Sequence, residues 1–112
     1  MTYYHIVKKE LSLAETRTYE LQELKDRVTL EVYSTNYQLD ETIKRKELTD
    51  ASLEKAVTNL DIMTDRYLEG LTSILEVLDA QLYWQRAFKD MLDARLLYKM
   101  ALAYHKKVVG LI

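Results

Sequence analysis

The sequence contains no cysteine and no proline, and its 112 residues include only two glycines, Gly70 and Gly110. Without cysteine there is no disulfide, thiolate nucleophile or thiolate metal site, and the redox compartment stays open. Without proline, and almost without glycine, nothing outside those two positions interrupts the backbone. Charge of one sign is missing too: 16 Lys and Arg against 18 Asp and Glu leave a net charge of −2. Interspersed signs create no field to attract a nucleic-acid backbone or an anionic membrane surface, so no nucleic acid is an expected partner. Long apolar runs are absent as well, and Met1-Thr2-Tyr3-Tyr4-His5 lacks the basic, then apolar, start of an export signal. This segment therefore predicts no direct membrane contact of its own. It says nothing about where a parent protein resides.

What remains is rich in helix formers, and the all-α class follows. From about Ile6 to Tyr67 apolar or small residues recur at steps of three and four: Ala14, Leu21, Val28, Val32, Thr35, Leu39, Thr42, Leu53, Ala56, Leu60, Met63 and Tyr67. That is a coiled-coil seam. Leu13, Leu24, Leu30, Tyr33, Tyr37 and Val57 lie off it, so this helix is apolar over more of its circumference than one neighbour can cover. The seam weakens at Lys44-Arg45-Lys46-Glu47, which reads as a solvated face with lysine–glutamate pairs, or else as a register shift or kink.

Gly70 is the one interruption between two long helical patterns, and the chain reads as a long antiparallel hairpin with its turn at Glu69–Thr72. The expected elements are a helix over about 5–67, a turn at 68–72 and a helix over about 73–108. Gly70 can adopt the left-handed conformation that ends a helix, Thr72 or Ser73 can cap the next, and Ser73-Ile74-Leu75-Glu76 has the form of a capping box. Since the arms are unequal, roughly the first 25 residues have no partner within the chain. They are expected to fray, to pair with a second copy, or to need structure from sequence outside this segment.

The strongest apolar positions of the second helix are Leu75, Leu78, Leu82, Phe88, Leu92, Leu96, Leu102 and Val109, with Tyr83, Trp84, Tyr98 and Tyr104 on other faces. Asp79 follows Glu76 by three residues, so the two carboxylates share a face, either as a simple solvated pair or as an acidic patch. No nucleophile, phosphate-binding loop or dinucleotide motif accompanies them, and His5 and His105 belong to no HExxH or ExxH arrangement. The expectation is a non-enzyme with no cofactor and no metal, its histidines at the surface.

The run Tyr67-Leu68-Glu69-Gly70-Leu71-Thr72-Ser73, then Leu75-Glu76-Val77-Leu78-Asp79-Ala80-Gln81 and Leu82-Tyr83-Trp84-Gln85-Arg86-Ala87, resembles the periplasmic tip of TolC-like outer membrane efflux proteins. Ala56 to Leu60 resembles the approach to that tip, and Tyr98 to Gly110 the close of the repeat. The resemblance implies a periplasmic portion of an outer membrane protein, one hairpin of a trimeric channel whose protomers each carry two. It implies a periplasmic adaptor and an inner membrane pump as partners, a homotrimer for the full-length channel, and export of small molecules or proteins. By the same resemblance Tyr67, Thr72, Glu76 and Asp79 belong to the gate or constriction, and Gly70, Leu71 and Thr72 to the adaptor-binding tip. Thr72 departs from the pattern, standing where the best-known member has an arginine, so an ion-paired gate cannot be carried over. One hairpin without strands implies a piece of the channel, for which a homodimer is conceivable. The alternative is a soluble, self-associating coiled-coil or scaffold module.

Overall fold

The computed structural model describes residues 2–111. Helix α1 runs from Thr2 to Leu68 and helix α2 from Ile74 to Val109. They lie antiparallel in a rod of 102 × 18 × 14 Å, an all-α hairpin with unequal arms and its turn at Glu69–Thr72. Helix α1 passes through Lys44–Glu47 without a break, so the charge cluster marks no kink.

The packing follows one register. On α1 the less exposed positions are Val28, Val32, Thr35, Leu39 and Thr42, then Lys46, Thr49, Leu53, Ala56, Leu60 and Met63. On α2 they are Val77, Ala80, Trp84, Ala87 and Met91, then Ala94, Tyr98, Ala101, His105 and Val108. Both sets step alternately by three and four, the seven-residue repeat of a coiled coil. Thr35 Oγ1 lies 3.3 Å from His105 Nδ1, and these two residues are equidistant in sequence from Gly70. Extended along the rod, that register sets Leu60 opposite Ala80, Ala56 opposite Trp84, Leu53 opposite Ala87, Thr49 opposite Met91 and Thr42 opposite Tyr98. Nearly every layer therefore joins one large and one small side chain, which lets the helices approach closely without a void. Ala56 and Ala94 are 0% and 1% exposed.

The sequence pattern misleads on α2. Its leucines are not what α1 packs on: Leu75, Leu78, Leu82, Leu92 and Leu96 are all exposed, Leu75 by 67%, on the side away from the seam. Alanines make the contact instead. Besides Lys46, three threonines enter the seam of α1, and each of their hydroxyls is satisfied by its own helix. Thr35, Thr42 and Thr49 donate to the carbonyls of Val32, Leu39 and Lys46 at 3.0, 2.8 and 3.0 Å. With Thr35 Oγ1 so committed as donor, its contact with His105 is one in which it accepts a hydrogen bond from the ring. His105 is thus half-buried in the seam rather than a surface residue, whereas His5 is exposed and stands edge-on to Tyr4. Lys46 is likewise not a solvated member of its cluster, since its ammonium lies 5.1 Å from the centre of the Tyr98 ring. Lys44 does pair with Glu41, at 3.8 Å.

At the tip Gly70 has φ 75°, and the Gly70 and Leu71 N–H groups donate to the carbonyls of Tyr67 and Arg66 at 3.0 and 2.8 Å. This is a Schellman ending, with the glycine at the left-handed position. The cap of α2 differs from the capping box. Ser73 is the N-cap but makes no side-chain cap hydrogen bond, and the Glu76 N–H instead donates to the Ser73 carbonyl at 3.2 Å.

Two stability measurements check this register. Ala94→Leu should destabilise the hairpin by about 1–3 kcal/mol in thermal or urea unfolding, because the buried site has no room. Leu92→Ala, two positions away on the exposed side, should stay within about 0.5 kcal/mol of the parent; the reverse order would mean that the leucines form the seam. Gly70→Ala should cost about 1–2 kcal/mol through its positive φ alone, since an added Cβ meets nothing within 4 Å.

Candidate functional site

The rod exposes 9384 Å², against roughly 6,400 Å² for a compact monomer of its 13.2 kDa mass. Its functional residues must therefore be sought on surfaces, and the turn is where the chain presents the most backbone outside regular structure. Gly70 and Leu71 project from the end of the rod, Leu71 with 64% of its surface exposed, and Thr72 is half-buried beside them. Tyr67 occupies the last seam position of α1 and is 41% exposed, so its ring is only partly covered by α2. The turn thus brings Gly70, Leu71 and Thr72 together in one segment, with Tyr67 one turn back on the other helix.

Glu76 and Asp79 are both exposed in the first turns of α2. Val77 and Ala80 are the neighbouring seam residues, and the repeat then sets the two acids on one flank of the helix while Leu71, Ile74, Leu75 and Leu78 occupy the other. A carboxylate in the first turn also suits the positive end of the helix dipole, which gives Glu76 a local role independent of any partner. Neither acid forms an ion pair or side-chain hydrogen bond among the described residues. Among the described residues, cross-helix ion pairing is confined to Arg95 and Asp50, at 3.3 Å on the opposite flank.

The acidic flank extends farther than the tip motif. Asp90 and Asp93 repeat the Glu76 and Asp79 positions two heptads along α2, about 21 Å deeper, with Tyr83 and Arg86 between the pairs. Sequence reasoning passed over them; the spacing of fourteen residues was the signal. Farther still from the tip this flank becomes apolar, as an open groove lined by Tyr37, Leu97, Met100 and Tyr104. The Tyr104 hydroxyl donates to the Glu31 carboxylate, and that bond together with the negative charge raises the Tyr104 pKa above its ordinary 10.0.

Nothing in this geometry assembles reactive groups. Among the described residues no three His, Cys, Asp or Glu side chains are grouped to hold a metal ion. No described helix is long and apolar enough to cross a membrane. What the hairpin offers is a tip, an acidic flank and an apolar flank.

Comparison with curated proteins and with solved structures returns no match. The family described as "Outer membrane efflux protein" does match, over residues 8–110, a span that takes in nearly all of α1, the whole turn and all of α2. An elongated two-helix hairpin is the shape expected of a periplasmic segment of such a channel. The chain belongs to the outer membrane efflux protein family, whose TolC-like members are channel components rather than catalysts.

Proposed function

We propose that this hairpin is a periplasmic tunnel segment of an outer membrane efflux channel, its tip forming part of the channel entrance and of the contact with a periplasmic adaptor. The observation that carries this reading is the family match across both helices and the turn between them. The channel would be a homotrimer working with an inner membrane pump in tripartite export of small molecules or proteins.

The two flanks of α2 suit such an assembly. Hairpins set side by side would bury the outward stripe of Leu75, Leu78, Leu82, Leu92 and Leu96 against neighbours, the most favourable use of apolar surface that α1 leaves uncovered. The opposite flank would then face the lumen. Glu76 and Asp79, repeated around the ring, would concentrate negative potential at the narrow end, favouring cations and basic blockers. Tyr67 would help hold the closed entrance. Because residue 72 is threonine, closure at that place would rest on packing and hydroxyl hydrogen bonds and not on an ion pair. Gly70, Leu71 and Thr72 would be the surface offered to the adaptor, with the exposed Leu71 as its apolar anchor.

Two experiments on the full-length parent channel test this. In planar bilayers, Glu76→Gln with Asp79→Gln should lower the preference for cations at unchanged open-channel assembly; unaltered selectivity would remove the acidic ring from the proposal. Leu71→Asp should weaken adaptor binding by about 2 kcal/mol, roughly thirtyfold, and reduce export in cells while leaving the conductance of the isolated channel intact. Normal export and adaptor cross-linking in that variant would refute the tip contact.

A further inference from the structure

Glu41 of α1 and Met100 of α2 line one groove on the acidic flank. Moving toward the tip by heptads, the same two positions are held by Leu48 and Asp93, then by Lys55 and Arg86, then by Ile62 and Asp79. Of these rungs only Lys55 with Arg86 carries two charges of the same sign, and both residues are exposed. Lys55 lies as far before Gly70 as Gln85 lies after it, so Lys55 and Arg86 stand level on the rod.

The positions nearer the seam follow from the contact of Glu31 with Tyr104. Repeating that contact by heptads sets Arg45 against Asp90, Ser52 against Tyr83 and Asn59 against Glu76. Level with the two bases, and between them, are therefore two hydroxyls, those of half-buried Ser52 and of Tyr83, which is 47% exposed. We infer that Ser52, Lys55, Tyr83 and Arg86 form an oxyanion site, which takes a carboxylate or phosphate group. Its role rests on the reading that this flank faces the lumen of a channel, where the oxyanion would belong to a solute in transit.

The chemistry of the set is one-sided. Lys55 and Arg86 can only donate hydrogen bonds, and the two hydroxyls can donate as well. The Arg86 guanidinium suits two oxygens of one carboxylate or phosphate, and the Lys55 ammonium adds a second positive charge. Neither charge is neutralised locally. The residues three and four positions from Lys55 are Ala51, Ser52, Thr58 and Asn59, none of them acidic. Arg86 has one acid at that spacing, Asp90, and Asp90 has Arg45 opposite it. Neither base forms an ion pair among the described residues. The bases of the nearby cluster are engaged elsewhere, Lys44 with Glu41 and Lys46 over the Tyr98 ring.

Asp79 lies one heptad from Arg86, about 10 Å along the helix. That is comparable with the Debye length of about 8 Å at physiological salt, so the acids at the tip weaken the basic rung without cancelling it. A solute entering at the tip would meet carboxylates first and the two bases one heptad deeper. The flank thus offers a partner to each end of an amphoteric solute.

NMR titration of the 112-residue chain with inorganic tripolyphosphate reads the site directly. Signals of Ser52, Lys55, Tyr83 and Arg86 should move together, with a dissociation constant on the order of 1 mM. Lys55→Gln with Arg86→Gln should weaken binding about tenfold, Arg86→Lys should keep most of it, and Glu76→Gln with Asp79→Gln should tighten it at low salt. All these positions are exposed, so every variant should melt with the parent. Shifts centred on Lys106 and Lys107, or spread evenly over every lysine and arginine, overturn the site. In planar bilayers tripolyphosphate should block the full-length parent channel, and the Lys55→Gln, Arg86→Gln variant should need about tenfold more for the same block. A channel whose selectivity responds to Glu76→Gln with Asp79→Gln, but whose block ignores Lys55 and Arg86, overturns the inference and leaves the acidic entrance standing. A channel that responds to neither pair removes the flank from the lumen, and the entrance and the role of this site fall together.

Discussion

The structure depends on a seam in which large and small side chains face each other in pairs symmetric about Gly70. Such a seam holds two helices close together, but it is thin. Alanine supplies much of the α2 side, so burial there removes little apolar area, and each layer contributes less than a leucine–leucine layer would. The exposed excess of surface follows directly. A hairpin built this way cannot use its own leucines to stabilise itself, and it leaves them facing outward. The uncovered apolar surface is a consequence of which residues fill the seam.

Polar groups survive in that seam because the hydroxyls are small and local bonds satisfy them. Three threonines give their hydroxyl protons to their own helix, so their burial leaves no donor unpaired. Lys46 is opposite Ala94, and the space above the alanine lets the ammonium reach the face of Tyr98 while the stem covers the seam. Each of these layers buries less apolar area than a fully apolar one would.

The elements were legible from local chemistry. The only glycine inside the helical pattern had to be the turn, since no other residue there accepts a positive φ cheaply, and the unequal arms followed from counting on either side of it. The seam of α1 was legible because its apolar residues already repeat at three and four. That of α2 was not. Hydrophobicity ranks leucine above alanine, and a pattern read by hydrophobicity selects the stripe that the hairpin leaves exposed; only helix α1 shows that the alanines are inside. The capping box failed for a related reason. Ser73 and Glu76 have the right spacing, but the backbone closes the first turn through the Ser73 carbonyl without its hydroxyl. For the site, the residues of the tip could be named from the motif, whereas the second acidic pair at Asp90 and Asp93 emerges only once the seam fixes which positions share a flank.

Helix α2 therefore presents three distinct faces, and the heptad keeps them apart. Seam, leucine side and acidic flank share no residue, so a change in one alters the others only through the rod as a whole. The acidic flank is also not uniform. Arg86 stands between the pair at the tip and the pair deeper along the helix, and its charge offsets part of the deeper one. Glu76 and Asp79 have no basic residue between them and the turn on α2, and with threonine at position 72 none is supplied from the turn. On this flank of α2 the acidic pair nearest the turn is thus the one without a cation interposed along the helix. An entrance lined by such tips would select by charge at its mouth, before a solute reached the wider, more nearly neutral interior.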